Sequence, residues 1–193
     1  MTVFPEIPRL GDAEIIDGQE FRRLEEDHLT FIEFWFGWSL EVIVRKGYLT
    51  DGASVPKNIF SDPAKRKKVE SLLDEYRFCG DWDSIYLWLV GTPWDMPRLL
   101  AAVVHDALYS LNWSIRFLVD RVYKKILEQS KYPLVRREVE YDLIRLFGGE
   151  HWDEVTEEEK IRAKRQVFVK WVKTKKIPKI LDLYGKGNSP ENS

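Results

Sequence analysis

Two stretches with helical spacing, Leu99 to Leu111 and Ser114 to Glu128, meet across a break of only about three residues, 112 to 114. That break constrains the fold more than any other feature, because so short a link leaves its two helices as antiparallel neighbours. With the hinge at Trp113, His105 lies eight positions before it and Asp120 seven after it. At a rise of about 1.5 Å per residue, both stand about 10 to 12 Å from the turn, at nearly one level. The spacing therefore predicts a His105–Asp120 contact across a helix hairpin.

The faces of the two helices sharpen that expectation. In the first, Leu100, Val103, Val104, Leu108 and Leu111 form an apolar stripe, while Arg98, Ala101, Ala102, His105, Tyr109 and Asn112 share another face. In the second, Ile115, Leu118, Val122 and Ile126 read as core; Arg116, Asp120, Tyr123 and Leu127 lie together, with Arg116 and Asp120 as an i, i+4 pair. A neutral imidazole whose second nitrogen donates to a carboxylate is the arrangement of a general base that activates water. Asp106 points about 100° around the helix from His105, free of that task. With carbonyls from the Asp51-Gly52-Ala53-Ser54 loop it offers the hard oxygens that calcium prefers. The same residues also read as a hydrogen-bonded knot that merely ties two helices, and the pattern alone leaves both readings open.

Composition limits the alternatives. The chain has 193 residues, 44% hydrophobic and 13% aromatic with eight Trp, enough to close one sizeable core. A formal net charge of −2 gives no global field that attracts nucleic acid or an anionic membrane, and no specific nucleic-acid binding is expected. The single cysteine, Cys79, rules out an intramolecular disulfide framework and multi-cysteine metal sites. Met1 to Pro8 lacks the basic start and apolar run of a signal peptide, and no window approaches a membrane span, so a soluble chain is expected.

Along the chain, the first fifty residues favour strands. His28 to Phe36 and Ser39 to Leu49 read as a hairpin or small meander turning at Gly37-Trp38, with Glu33 and Glu41 on a wet face and aromatics that imply cover on both sides of Leu29 to Phe36. Thr50-Asp51-Gly52-Ala53-Ser54-Val55-Pro56 reads as a loop, and Ser61-Asp62-Pro63 as a helix start followed by Val69, Leu72, Leu73 and Tyr76. Lys65, Arg66, Lys67 and Lys68 read as a solvated face, and Asp81 to Val90 as a helix. Tyr132-Pro133 breaks the chain before a helix from Leu134 to Phe147, expected to stop at Gly148-Gly149 with His151-Trp152 closing that turn. Thr156 and Glu159 form a capping box for a helix running from about Glu157 to Lys173. The expected architecture is α+β: a small N-terminal antiparallel sheet, then a helical body centred on the hairpin. Residues 1 to 178 form one domain, with 57 to 96 as a helical insertion and 179 to 193 as a flexible tail.

The strings Thr50-Asp51-Gly52-Ala53-Ser54-Val55-Pro56 and His105-Asp106-Ala107-Leu108-Tyr109, in that order and followed by Arg116 and Asp120, resemble a family of short phage and prophage proteins known only as a domain of unknown function. The resemblance covers about Leu40 to Gly149, with a longer spacer at 57 to 96. More distantly, the strings are similar to those of secreted phospholipases A2, especially the bacterial and fungal type. That similarity implies His105 as base, Asp120 as orienting carboxylate and Tyr109 as supporting donor. It also implies calcium held by Asp106 with Asp51, Gly52 and Ala53. Ala53 and Ala101 stand where those enzymes carry cysteines, and only Gly52 remains of their glycine-rich loop.

Two functions follow as expectations. One is a calcium-assisted hydrolase of lipid esters, meeting a phospholipid or membrane surface during phage entry or exit. The other is a non-catalytic virion component, such as a tail, baseplate or portal-associated subunit, that docks on virion partners through aromatics such as Trp82, Trp88 and Trp94. A metal phosphohydrolase needs further histidines at ligand spacing, which His28 and His151 do not supply. No glycine-rich phosphate loop follows a strand, and no serine sits in a nucleophile elbow.

Overall fold

A computed structural model describes residues 8–16, 19–34, 37–52, 61–77, 80–81, 84 and 98–173. Its elements are β1 (Leu10–Ile16), β2 (Gln19–Leu24), β3 (His28–Glu33), β4 (Trp38–Val44), β5 (Leu49–Thr50), α1 (Pro63–Glu75), α2 (Arg98–Ser110), α3 (Arg116–Gln129), α4 (Leu134–Glu154), α5 (Glu157–Gln166) and β6 (Val167–Lys173). The fold is α+β, as expected. It carries two small antiparallel sheets, ordered β1-β2-β5 and β3-β4-β6, instead of one.

Strand β3 alternates strictly: His28, Thr30 and Ile32 are buried, whereas Leu29, Phe31 and Glu33 are exposed. Among the described residues the expected cover on both sides of this strand is therefore absent at Leu29 and Phe31, where the inner face of the sheet alone meets the helices. That inner face presents Leu40, Val42 and Val44 to the core formed by α2 and α3. At the turn read at Gly37-Trp38, Gly37 has φ 73° and Phe34 N–H donates to the Trp38 carbonyl, but Trp38 already opens β4, and residues 35 and 36 lie outside the described residues. At the outer edge of β3 the Gln129 carboxamide takes the place of a neighbouring strand: it accepts from Glu33 N–H at 3.1 Å and donates to the Phe31 carbonyl at 3.1 Å.

Three helix readings are corrected. First, α4 does not stop at Gly148-Gly149 but continues to Glu154, since the glycines serve tertiary packing described below and not a C-cap. Second, the helix capped by Thr156 ends at Gln166, and Val167–Lys173 is a strand paired with β4 from Val44↔Val167 to Trp38↔Lys173. The alternating β-branched and aromatic residues Val167, Phe168, Val169, Trp171 and Val172 outweigh the helical signal once β4 offers a free edge. Third, the link between α2 and α3 is Leu111 to Ile115, longer than expected. Both Asn112 (φ 49°) and Ser114 (φ 61°) take left-handed backbone, and Ile115 is 63% exposed while Val119 fills the core in its place. The helix start at Ser61-Asp62-Pro63 is as read, with Asp62 Oδ1 accepting from the Ala64 and Lys65 amides. The readings of Cys79, of Trp82, Trp88 and Trp94, of the 53–56 part of the loop, and of the 179–193 tail fall outside the described residues, as do most of Asp81 to Val90 and half of the 57–96 insertion.

Candidate functional site

Helix α2 is buried along almost its entire length, from Arg98 to Tyr109, with Asp106 the half-exposed exception. Ala101 and Ala102 are fully packed, so they let neighbouring elements approach the helix closely. Across the hairpin, His105 Nε2 lies 3.0 Å from Asp120 Oδ1. The helix count from Trp113 had placed these groups level, and the structure brings them together. Tyr109, one turn after His105, donates to the same Oδ1 at 2.7 Å, and its ring tilts against the imidazole with centroids 4.2 Å apart.

Asp120 is completely buried yet holds its charge through its partners. Oδ2 accepts from Arg145 Nη1 at 2.7 Å, and Arg116 Nε stands 3.5 Å from the same oxygen. Burial opposes ionisation of Asp120, but the hydrogen bonds from His105, Tyr109 and Arg145 outweigh it and leave the carboxyl below its usual range. His105 is 8% exposed, and burial lowers its proton affinity more than Asp120 raises it, with His151 and Arg116 adding to the depression. These surroundings favour the neutral ring. Its Nε2 is engaged by Asp120, and among the described residues Nδ1 has no hydrogen-bond partner.

The second cluster lies on the adjacent side of α2. Asp106 Oδ2 accepts from Thr50 Oγ1 at 2.8 Å, and Asp106 is hydrogen-bonded to Asp51, whose Oδ2 accepts from Gln19 Nε2 at 2.5 Å. Burial and the charge of Asp51 raise the Asp106 carboxyl well above its usual range, and two carboxyl groups in hydrogen-bond contact require one of them to keep its proton. Gly52 has φ 70°, and its N–H donates to Thr50 Oγ1. This turn brings the Asp51 carboxyl group, not the loop carbonyls of the sequence reading, against Asp106. Ala53, the remaining residue of the implied calcium set, lies outside the described residues. Among those described, no group of three or more His, Cys, Asp or Glu side chains converges as a metal site. The donors that do meet are all oxygens, the chemistry that suits calcium, and a cation there would replace the shared proton.

Several residues of the site escaped the sequence. Arg145 comes from α4 at no periodic spacing from His105. Gly148 and Gly149 form the surface against which Tyr109 and Arg116 pack: a Cβ at Gly148 would stand 2.8 Å from Tyr109 Oη, and one at Gly149 2.8 Å from Arg116 Nη1. Two glycines inside a helical pattern signal such close approach, and that was the available clue. Arg116 is anchored by the Ile144 and Arg145 carbonyls at 2.9 and 2.6 Å, so it braces α4 more than it pairs with Asp120. His151 stacks on Tyr109 with centroids 5.9 Å apart, and Trp152 meets the same ring edge-on at 4.9 Å; neither closes a turn. A further buried network sits behind the site. Arg98 Nε lies 3.1 Å from Glu140 Oε1, Tyr123 and Tyr132 donate to Glu140 at 2.8 and 2.7 Å, and Tyr123 stands edge-on to His105 at 5.4 Å. His28 is buried beside Thr30 Oγ1 at 2.9 Å, away from the His105 cluster.

No protein-family model, curated protein or solved structure matches the chain. Among the described residues, no helix is long and apolar enough to cross a membrane.

Proposed function

We propose that this chain is a phage- or prophage-encoded hydrolase of phospholipid esters, assisted by calcium and acting in entry or exit. The observation that carries the reading is the pairing of two sites on one helix. His105 is oriented by Asp120 at 3.0 Å with Tyr109 on the same oxygen, while Asp106 faces away toward Thr50 and Asp51. In this reading, His105 Nδ1 takes a proton from water while Nε2–H stays on Asp120. The water oxygen adds to the ester carbonyl carbon, the carbon–oxygen ester bond breaks, and the proton passes from Nδ1 to the departing alkoxide. Asp120, Tyr109 and Arg145 keep the imidazole aimed. Asp106, Asp51 and Thr50, with Gly52 shaping the turn, would hold the calcium. When bound there, that ion would supply positive charge to offset the negative charge that develops on an ester carbonyl oxygen.

Fatty-acid release from phospholipid vesicles tests the reading. Activity in calcium should fall with a chelator, and His105→Ala should lower it by about 10²- to 10⁴-fold, the contribution of a positioned base. Equal inactivity of the wild type and His105→Ala sinks it. The second reading, a non-catalytic virion component, is favoured by Leu29, Phe31 and Phe168, which stand exposed on the outer face of the β3-β4-β6 sheet. Absence of the protein from purified particles counts against it.

A further inference from the structure

Asp120 receives two hydrogen bonds from α2, through His105 and Tyr109, and both fall on Oδ1. Its other oxygen is held from α4 by Arg145 at 2.7 Å. Arg145 is the outermost member of the cluster: its side chain is 35% exposed, whereas Asp120 is fully buried, and its guanidinium lies 5.4 Å from the centre of the exposed Phe117 ring. It therefore separates the carboxylate from water on that side. A carboxylate that stays ionised accepts hydrogen bonds and donates none, so the imidazole nitrogen that faces it must carry the proton.

We propose that Arg145 is a positioning residue for His105: by gripping Asp120 Oδ2 and excluding water, it keeps Oδ1 on a protonated Nε2 and leaves Nδ1 as the lone pair the site presents. The other polar groups turned toward the ring do not do this. Tyr109 and Tyr123 are neutral donors, His151 reaches Tyr109 and not Asp120, and Arg116 gives Nη2 to the Ile144 and Arg145 carbonyls and Nε to Tyr109 Oη at 3.2 Å, which leaves that Nε 3.5 Å from Asp120 Oδ2 against 2.7 Å for Arg145. The inference stands on hydrogen-bond geometry and holds whether or not the site turns over an ester.

Magnetic resonance of the ¹⁵N-labelled full chain near pH 7 tests it. Two-bond ¹H–¹⁵N correlations should show His105 protonated at Nε2, with that proton visible downfield and in slow exchange with water. Arg145→Met should speed its exchange by about tenfold or more while amide protection at Val104 and Leu108 is unchanged. Arg145→Lys, which restores a cationic donor, should return the exchange rate to within about threefold of the wild type. The proposal is overturned by an Nδ1-protonated ring in the wild type, by the lack of a slowly exchanging Nε2 proton there, or by Arg145→Met exchange within about twofold of wild type. If Arg145→Met fails to fold, Arg145→Gln, a shorter and neutral side chain, is judged by the same exchange criterion.

Discussion

Replacing Gly148 by alanine puts the close packing behind the site to a quantitative test. In an exposed helix interior, glycine to alanine stabilises by about 1 kcal/mol. At Gly148 the new Cβ would lie 2.8 Å from Tyr109 Oη, too near for either atom to remain in place. Tyr109 has little room to yield. It is 2% exposed, its ring is held between His105 at 4.2 Å and Trp152 at 4.9 Å, and its hydroxyl is committed to Asp120 at 2.7 Å. Forcing the contact costs about 1–3 kcal/mol as overpacking. If the hydroxyl retreats instead, the bond to a buried charge is lost, at about 1.5–3 kcal/mol. Set against the gain in helix propensity, Gly148→Ala should destabilise by about 1–2 kcal/mol. Urea unfolding should show a midpoint lower by about 0.5–1 M. In a Tyr109→Phe background the offending oxygen is gone, so the same alanine should be neutral or stabilising there, and the double-mutant cycle should report strong coupling. Stabilisation of the wild type by about 1 kcal/mol would refute the packing argument.

The other perturbations probe separate parts of the molecule. Burial and Asp51 raise the proton affinity of Asp106, so above about pH 4 the unfolded carboxyl ionises while the folded one keeps its proton, and stability falls as pH rises through that range. Asp106→Asn should remove this loss and raise the melting temperature at pH 7 more than at pH 4; parallel melting curves against pH would contradict it. Ser114→Gly relieves the left-handed backbone at φ 61° and, after the entropy cost of glycine, should stabilise by about 0.5–1 kcal/mol in chemical denaturation. A loss of stability would show that the Ser114 side chain contributes more than its backbone costs. Arg98→Met leaves Glu140 buried without its cation and should cost about 3–5 kcal/mol, read by thermal unfolding; a cost under about 1 kcal/mol would mean that Tyr123 and Tyr132 alone satisfy the carboxylate.

What was legible in the chain depended on distance along it. His105, Tyr109 and Asp120 lie on two adjoining helices, so their meeting followed from helix rise and a short link, even though the link proved longer and its core face is shifted to Val119. Asp51 reached Asp106 because the turn at Gly52 carries its own local signal. Arg145 had no such route: its position beside Asp120 is set by how α4 crosses the hairpin, which spacing does not encode. Gly148-Gly149 was misread because glycine has two uses in a helix, ending it or letting a neighbour in, and only the neighbour decides between them. Val167–Lys173 was misread for a similar reason, since strand character there depends on β4, a partner far earlier in the chain.

That distance has a consequence for how the molecule assembles. β4 is the central strand of its sheet, yet its two neighbours come from opposite ends of the described chain: β3 is a hairpin partner, whereas β6 lies roughly 130 residues downstream. During synthesis β4 waits with one ladder of backbone groups unsatisfied until all the helices have emerged, so the local hairpins and the α2–α3 pair can organise well before the sheet closes. Long-range pairing of this kind slows folding in general, so late docking of β6 is the expected slow step and the waiting edge of β4 the expected point of misassembly. On the other flank the β3 edge is closed in the folded chain by the Gln129 carboxamide, which satisfies Glu33 N–H and the Phe31 carbonyl in place of a strand.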